Sequence, residues 1–305
     1  MENAPYQELD YQQKKQIQES MISVASGASS ISNLDKADEI YLKYAPKKLF
    51  KYYSACPRNL NAVQCNLMWY SAPSCFNDVF DSLFVIDEDK VCSNILNHLP
   101  WKDDIQSCEQ KLQQFYNSTK DNLKVLDACN YMVRQTMGVS CFSERNDSIL
   151  MWGHYTKNQG MCVEYRLLDF FEQHKLVPIP VVYSNDRPCL EKIDSNNLLK
   201  TTAEFSTKTL TTKSLEWSYE REWRIIIGRI KYKGLGFQPG EGVLFHSVTP
   251  KAIYLGSNAS EEFQNRVLDY CTRKHIDLYR MEPDSLQYKL NKRPILLFED
   301  KEAAE

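Results

Sequence analysis

The segment Lys213-Ser-Leu-Glu-Trp-Ser-Tyr-Glu-Arg-Glu-Trp-Arg224 runs directly into the apolar triplet Ile225-Ile-Ile227. Aromatic and β-branched residues at this density favour a pleated, half-buried strand. If the chain is extended from Tyr219, side chains alternate faces. Glu220, Glu222 and Arg224 then point one way, and Arg221 and Trp223 the other. One strand would carry two carboxylates and a guanidinium on one side. Charges are rarely buried unpaired, so Arg224 and one Glu are expected to form an ion pair at the edge of the core. A catalytic carboxylate on the same face is the competing expectation, because both arrangements perturb pKa values.

Working outward, short aromatic and apolar runs bounded by Pro, Asn and Ser predict strands at Lys48–Ser54, Leu67–Ser71, Met137–Phe142, Gly160–Tyr165, Val177–Tyr183, Arg221–Ile230, Val243–Phe245, Ala252–Leu255, Ile276–Arg280 and Leu286–Leu290. Helical spacing predicts helices over Lys36–Tyr44, from Pro57, over two stretches within 88–134, through Ile149–Tyr155, in part of 185–213 and over Glu261–Lys274. Strands and helices in this mixture predict an α+β fold: a single domain over 46–300, with a mixed, largely antiparallel sheet flanked by helices. Residues 1–45 are expected to be a helical N-terminal arm and linker. Residues 7–24 are Gln-rich, with Tyr11, Ile17, Met21 and Ile22 at loosely helical spacing, and Ser26–Ser32 punctuates them.

Composition narrows the function classes. Usage that is 43% hydrophobic and 25% charged argues for a packed core. A net charge of −3 gives no global attraction to nucleic acid, so a nucleic-acid partner would need a local patch. Candidates are Lys43, Lys47, Lys48, Lys51 and Arg58, and Lys208, Lys213, Arg221 and Arg224. No apolar stretch long enough for a membrane span and no signal-peptide pattern is present, so a cytoplasmic location without membrane partners is expected. The ten cysteines contain no CxxC pair, and no metal site is expected. Cys129, Cys141 and Cys162 are expected to be small buried residues.

Two further clusters hold polar groups between aromatics. In Trp69–Asp81, Asn77 and Asp78 suit a turn, with Phe76 and Phe80 as anchors. In Cys141–Tyr155, Asp147 or Ser148 suits the N-cap of a helix carrying Met151, Trp152, His154 and Tyr155. Of the five histidines, His154 is the best placed for proton transfer, since its aromatic neighbours imply a partly buried setting.

Together these stretches resemble the bacterial family called domain of unknown function 2971. The resemblance rests on Lys51-Tyr52, the Phe76–Asp81 loop, Met151–Tyr155, the strand from Gly160 to Tyr165 and the Lys213–Arg224 motif, and it covers roughly residues 46–256. Val79 stands where the family usually has Pro. The order of these parts is also similar to NAD-dependent ADP-ribosyltransferases. That similarity implies an ADP-ribosyltransferase-like fold and cleavage of NAD as substrate, with ADP-ribose passed to a nucleic-acid or protein acceptor by a toxin or antiphage effector. It implies Glu222 as the principal catalytic carboxylate, assisted by Glu220, with His154 beside them. It places Lys51, Tyr52, Tyr70, Ser71, Phe76, Asn77, Asp78, Trp152, Tyr155 and Arg224 around NAD, with Arg224 on a phosphate or a Glu. The arm would serve a homo-oligomer or an antitoxin partner. Two other classes stay open: a metal-dependent nuclease using Asp78, Asp81, Glu220 and Glu222, and a non-catalytic sensor or interaction domain.

Overall fold

The computed structural model describes residues 10–25, 41–87, 137–191, 198–228 and 241–298, with isolated helical residues between 89 and 135. The expected helices within 88–134 therefore lie almost entirely outside the described residues, as do 26–40 and the end of the strand expected to reach Ile230.

Helix α1 (Tyr11–Ala25) precedes strand β1 (Lys48–Tyr53), helix α2 (Pro57–Gln64) and strand β2 (Leu67–Ser71). A 3-10 turn at Pro73–Cys75 leads to β3 (Val85–Ile86). Then follow β4 (Met137–Ser143), α3 (Ile149–Thr156), β5 (Met161–Arg166) and α4 (Leu167–His174). Short strands β6 (Ile179–Pro180), β7 (Val182–Ser184) and β8 (Cys189–Leu190) precede α5 (Leu198–Leu210) and β9 (Thr212–Ser214). After a 3-10 turn at Leu215–Glu220 come β10 (Glu222–Gly228), β11 (Gly242–His246), β12 (Ala252–Leu255), α6 (Glu261–Lys274), β13 (Asp277–Pro283) and β14 (Leu290–Leu296).

The fold is α+β, with a mixed, largely antiparallel sheet flanked by helices. Its ten strands run β11-β2-β4-β1-β5-β12-β13-β14, with β10 paired to β4 and β6 paired to β10. Within this sheet the β12–β13 pair is parallel. Strand β4 is the branch point. Its Ser143 lies opposite Phe50 of β1 on one side and Glu222 of β10 on the other. Four residues along, Val139 faces Ser71 of β2. Strands β1 and β2 thus share one side of β4 and part from each other between these two points.

Four expectations are corrected. The strand expected at Val177–Tyr183 is two short strands, because the chain changes partner: up to Val181, whose N–H donates to the Glu222 carbonyl at 2.9 Å, it pairs with β10, and from Val182, whose N–H donates to the Thr211 carbonyl at 2.9 Å, it pairs with β9. Residues 219–221 are not extended: the 3-10 turn ends at Glu220, Arg221 takes a left-handed conformation at φ 46°, and β10 begins at Glu222. The last strand is Leu290–Leu296 rather than Leu286–Leu290. Asp284 accepts the N–H groups of Leu286 and Gln287 at 2.9 and 3.0 Å, which closes a turn where the strand was expected. His154 is exposed, not partly buried.

The main core lies on the face of the sheet that carries Leu49, Tyr53, Phe142, Tyr165, Trp223 and Ile225. Helix α1 contributes to it through Ile17 and Met21, whose burial stabilises by roughly 1.5–3 kcal/mol each. A second cluster on the opposite face gathers Trp152, Cys162, Tyr254 and Met281, with Phe50 and Tyr52 packed against it. Gly160 permits the start of β5: a Cβ there would sit 1.9 Å from the Tyr53 carbonyl oxygen. Among the described residues every cysteine is free; Cys162 is buried and Cys141 half-buried. No described helix is long and apolar enough to cross a membrane.

Candidate functional site

The antiparallel register sets Cys141 opposite Arg224, and Ser143 opposite Glu222 and Phe50. Paired residues share a face, so the Glu222 and Arg224 side chains lie on the side opposite Trp223. Helix α3 covers that side, capped at its start by Ser148, which accepts the Met151 N–H.

Arg224 is fully buried and uses all five of its N–H groups. Nε donates to Glu222 Oε1 at 2.7 Å and Nη2 to Glu222 Oε2 at 3.1 Å. Nη1 and Nη2 form a fork onto Asp81 at 2.8 and 2.6 Å, and Nη1 also donates to the Leu210 carbonyl at 2.8 Å. The ring of Phe76 lies 5.2 Å from the guanidinium carbon. The expected ion pair with a Glu is therefore present, and no donor is left over for a phosphate.

Lys213 completes the cluster. Its Nζ donates to Glu220 Oε2 at 2.6 Å and Glu222 Oε2 at 3.1 Å, and stands 3.8 Å from Asp81. The Trp217 ring covers it at 4.7 Å. Tyr155 donates its hydroxyl to the other Glu220 oxygen. Glu220, Glu222 and Asp81 are each at most 3% exposed. Three carboxylates thus meet two direct cations, a residual negative charge in a poorly solvated place.

The remaining cation is Lys51. Its Nζ donates to the Cys141 carbonyl at 3.0 Å, in the gap where β1 and β2 part, and stands over the rings of Phe142 and Tyr53. Burial pushes its pKa down; the Cys141 thiol and the Glu222 carboxylate act in the opposite direction. Lys51 and Glu222 therefore lie within electrostatic reach across β4.

The two glutamates are pushed apart. Burial would raise Glu222, but the Arg224 guanidinium and Lys213 ammonium outweigh it and hold the carboxyl well below its ordinary range. For Glu220, burial and the neighbouring Glu222 charge raise the pKa, and Lys213 and Tyr155 only partly oppose them. Burial and the Glu220 charge together push the Tyr155 hydroxyl up.

Phe76, Tyr155, Glu220, Glu222 and Arg224 are thus brought together, with Lys51 at the fork. The other expected residues fall elsewhere. Tyr52 and Trp152 pack edge to face at 5.4 Å in the second cluster, with their polar atoms on the carbonyls of Arg145 and Asn146. Tyr70 is buried in the main core, its hydroxyl on the His246 carbonyl, and Ser71 lies beside Val139. Asn77 is exposed, and Asp78 caps the Phe80 N–H at 2.9 Å. His154 meets only the rim, 3.3 Å from the Tyr219 hydroxyl.

Sequence reasoning missed Asp81 as the partner of Arg224 and Lys213 as the counter-ion of both glutamates. Charge arithmetic held the signal for the second: two carboxylates facing one guanidinium require another cation. For the nuclease arrangement, Asp81 and Glu222 are already neutralised by Arg224 and Lys213. Among the described residues, the His/Cys/Asp/Glu group close enough to share an ion is Asp87, Cys189 and Glu191, where Lys90 already bridges both carboxylates.

Neither the curated proteins nor the solved structures contain a match to the chain. Residues 151–225, which run from helix α3 to β10 and carry Tyr155, Lys213, Glu220, Glu222 and Arg224, match the family described as protein of unknown function (DUF2971).

Proposed function

We propose that the chain is an ADP-ribosyltransferase-like enzyme of the cytoplasm, which cleaves the nicotinamide–ribose bond of NAD and passes ADP-ribose to a nucleic-acid or protein acceptor, as a toxin or antiphage effector would. The observation that carries this reading is the divergence of Glu220 and Glu222. Neighbouring carboxylates whose environments drive their pKa values apart are suited to different roles in one reaction. Glu222, held ionised, would stabilise positive charge developing on the ribose as nicotinamide leaves. Glu220, raised and bonded to Tyr155, would take a proton from the acceptor. Arg224 would hold Glu222 in place.

The site as described is closed. Tyr155 and Trp217, both half-buried, stand between solvent and the Glu220–Lys213 pair, so NAD cleavage requires them to move aside. This closure favours a second reading, in which the ion cluster pins the loop of Asp81 to β10 in a non-catalytic interaction domain.

One assay separates these readings: nicotinamide release from NAD by wild type and by Tyr155→Phe, with and without cellular RNA and protein as acceptors. Tyr155→Phe keeps the ring and removes only the hydroxyl on Glu220. The transferase reading expects release by wild type and a drop of about 100-fold in the variant, assayed at a temperature where both are folded, since loss of the donor to buried Glu220 also costs about 1–3 kcal/mol of stability. No release under any condition would leave the interaction domain. Cleavage of nucleic acid that appears only with Mg²⁺ or Mn²⁺ would point to the nuclease.

A further inference from the structure

Helix α1 meets the domain through Lys14, Ile17, Gln18 and Met21, one helical face at spacing i, i+3, i+4 and i+7. Two of the four are polar, yet Lys14 is 6% and Gln18 3% exposed. Each grips a residue that supports the charge cluster. Lys14 Nζ is 3.5 Å from Glu144 Oε1 and lies over the Tyr183 ring. The Glu144 N–H donates to the Arg221 carbonyl, between the two catalytic candidates, and the Tyr183 hydroxyl accepts the N–H of Glu222 at 2.8 Å. Gln18 donates to both the carbonyl and the hydroxyl of Thr211 at 2.8 Å. Thr211 follows Leu210, whose carbonyl binds Arg224, and precedes Lys213 by two residues.

The same contacts make α1 easy to release. It is a 15-residue segment rich in Gln and Lys, and isolated helices of that length are marginal in water. Half of its grip is polar: alongside buried Ile17 and Met21, it holds through two side chains, Lys14 and Gln18, whose partners water can replace. Docking also leaves Glu144 Oε2 buried with no partner, a demand that hydration meets once the helix leaves.

We propose that α1 is a releasable strap that holds the Glu220–Glu222 site closed, an autoinhibitory element built into the fold. Control of activity rests on the transferase reading of that site; release of the strap does not. With Lys14 and Gln18 withdrawn, the Arg221 turn and the Thr211–Lys213 segment lose their outer support, and the 3-10 turn between them, which carries Trp217, is freed to move aside.

The test is amide hydrogen exchange of the full chain, wild type and Lys14→Met, followed by nicotinamide release. In wild type, α1 is expected to exchange at least about tenfold faster than β4 and β10, as a unit that opens on its own. Lys14→Met is expected to speed α1 by about tenfold more, leaving β5 and β12 unchanged, because the substitution removes the cation that matches buried Glu144. Should Lys14→Met not fold, Gln18→Leu is expected to show the same pattern. Exchange of α1 in step with β10 in wild type and variant would overturn the strap. Release of nicotinamide should rise with α1 opening; a folded variant with faster α1 exchange and unchanged release would overturn its control of the site. If neither protein releases nicotinamide, the transferase reading fails and the exchange pattern alone decides the strap.

Discussion

The two faces of β10 solve burial in opposite ways. On one face Trp223, Ile225 and Ile227 join the main core, and the one polar atom among their side chains, Trp223 Nε1, donates to Glu144 at 2.7 Å. On the other, Glu222 and Arg224 are equally buried and hold one another through a chain of ion pairs to Asp81, Lys213 and Glu220. The apolar face gains stability from area removed from water and tolerates modest change of shape. The ionic face gains little beyond its desolvation cost, yet every member depends on the rest. Loss of one charge strands another in a place water does not reach.

The largest expected effect follows from that asymmetry. Arg224→Met removes the guanidinium that hydrogen-bonds both Asp81 and Glu222 and leaves three buried carboxylates, Asp81, Glu220 and Glu222, facing Lys213 alone. A loss of about 3–5 kcal/mol in unfolding free energy is expected, measured by urea denaturation. A loss below about 1 kcal/mol would mean that the loop of Asp81 swings out to solvent, and that the two faces of β10 are held to different tolerances than their burial implies.

This difference between faces was only half legible in the sequence. The apolar side of Trp223–Ile227 follows from alternation, and so does the common side of Glu222 and Arg224. Glu220 joins them by another route, through a 3-10 turn and the left-handed Arg221, because residues 215–220 mix polar and aromatic groups with no period that marks a turn. Asp81 lies 143 residues from Arg224, and no local pattern announces a partner at that separation. The turn at Asp284 was hidden by Leu286 and Tyr288, large apolar residues that suggest a strand but stand exposed to solvent. In the arm, the spacing of Tyr11, Ile17, Met21 and Ile22 announced a helix, but nothing local marks Lys14 and Gln18, which are buried because their partners Glu144 and Thr211 lie far along the chain.

A smaller effect sharpens the contrast between the two glutamates. The raised pKa of Glu220 means that the fold favours its protonated form. Its contribution to stability is full below the unfolded value of about 4.3 and is lost as pH rises through the folded value. Glu222, held low by Arg224 and Lys213 against burial, contributes in the opposite sense: fully above the unfolded value, and lost as pH falls through the folded one. Glu220→Gln removes the first dependence and keeps the second. As pH rises above the unfolded value, the stability of Glu220→Gln relative to wild type should therefore improve, measured by urea denaturation across the pH range. A difference that does not vary with pH would show that Glu220 titrates in the fold as it does in the unfolded chain.

The smallest effect lies at the rim, and it asks whether the site extends beyond the ion cluster. His154 sits on the solvent side of α3, near its end, with Tyr219 as its neighbour in both ring contact and hydrogen bond. Nothing buried depends on it. His154→Ala should therefore change unfolding free energy by less than about 0.5 kcal/mol. Its effect on nicotinamide release then has only one source, contact with substrate or acceptor, since the Tyr155–Glu220–Lys213 connections are left intact. A drop in release with KM raised and kcat unchanged would place His154 in binding at the mouth of the site. A drop in kcat alone would make it a partner in proton transfer and extend the chemistry outward from the buried glutamates to the surface.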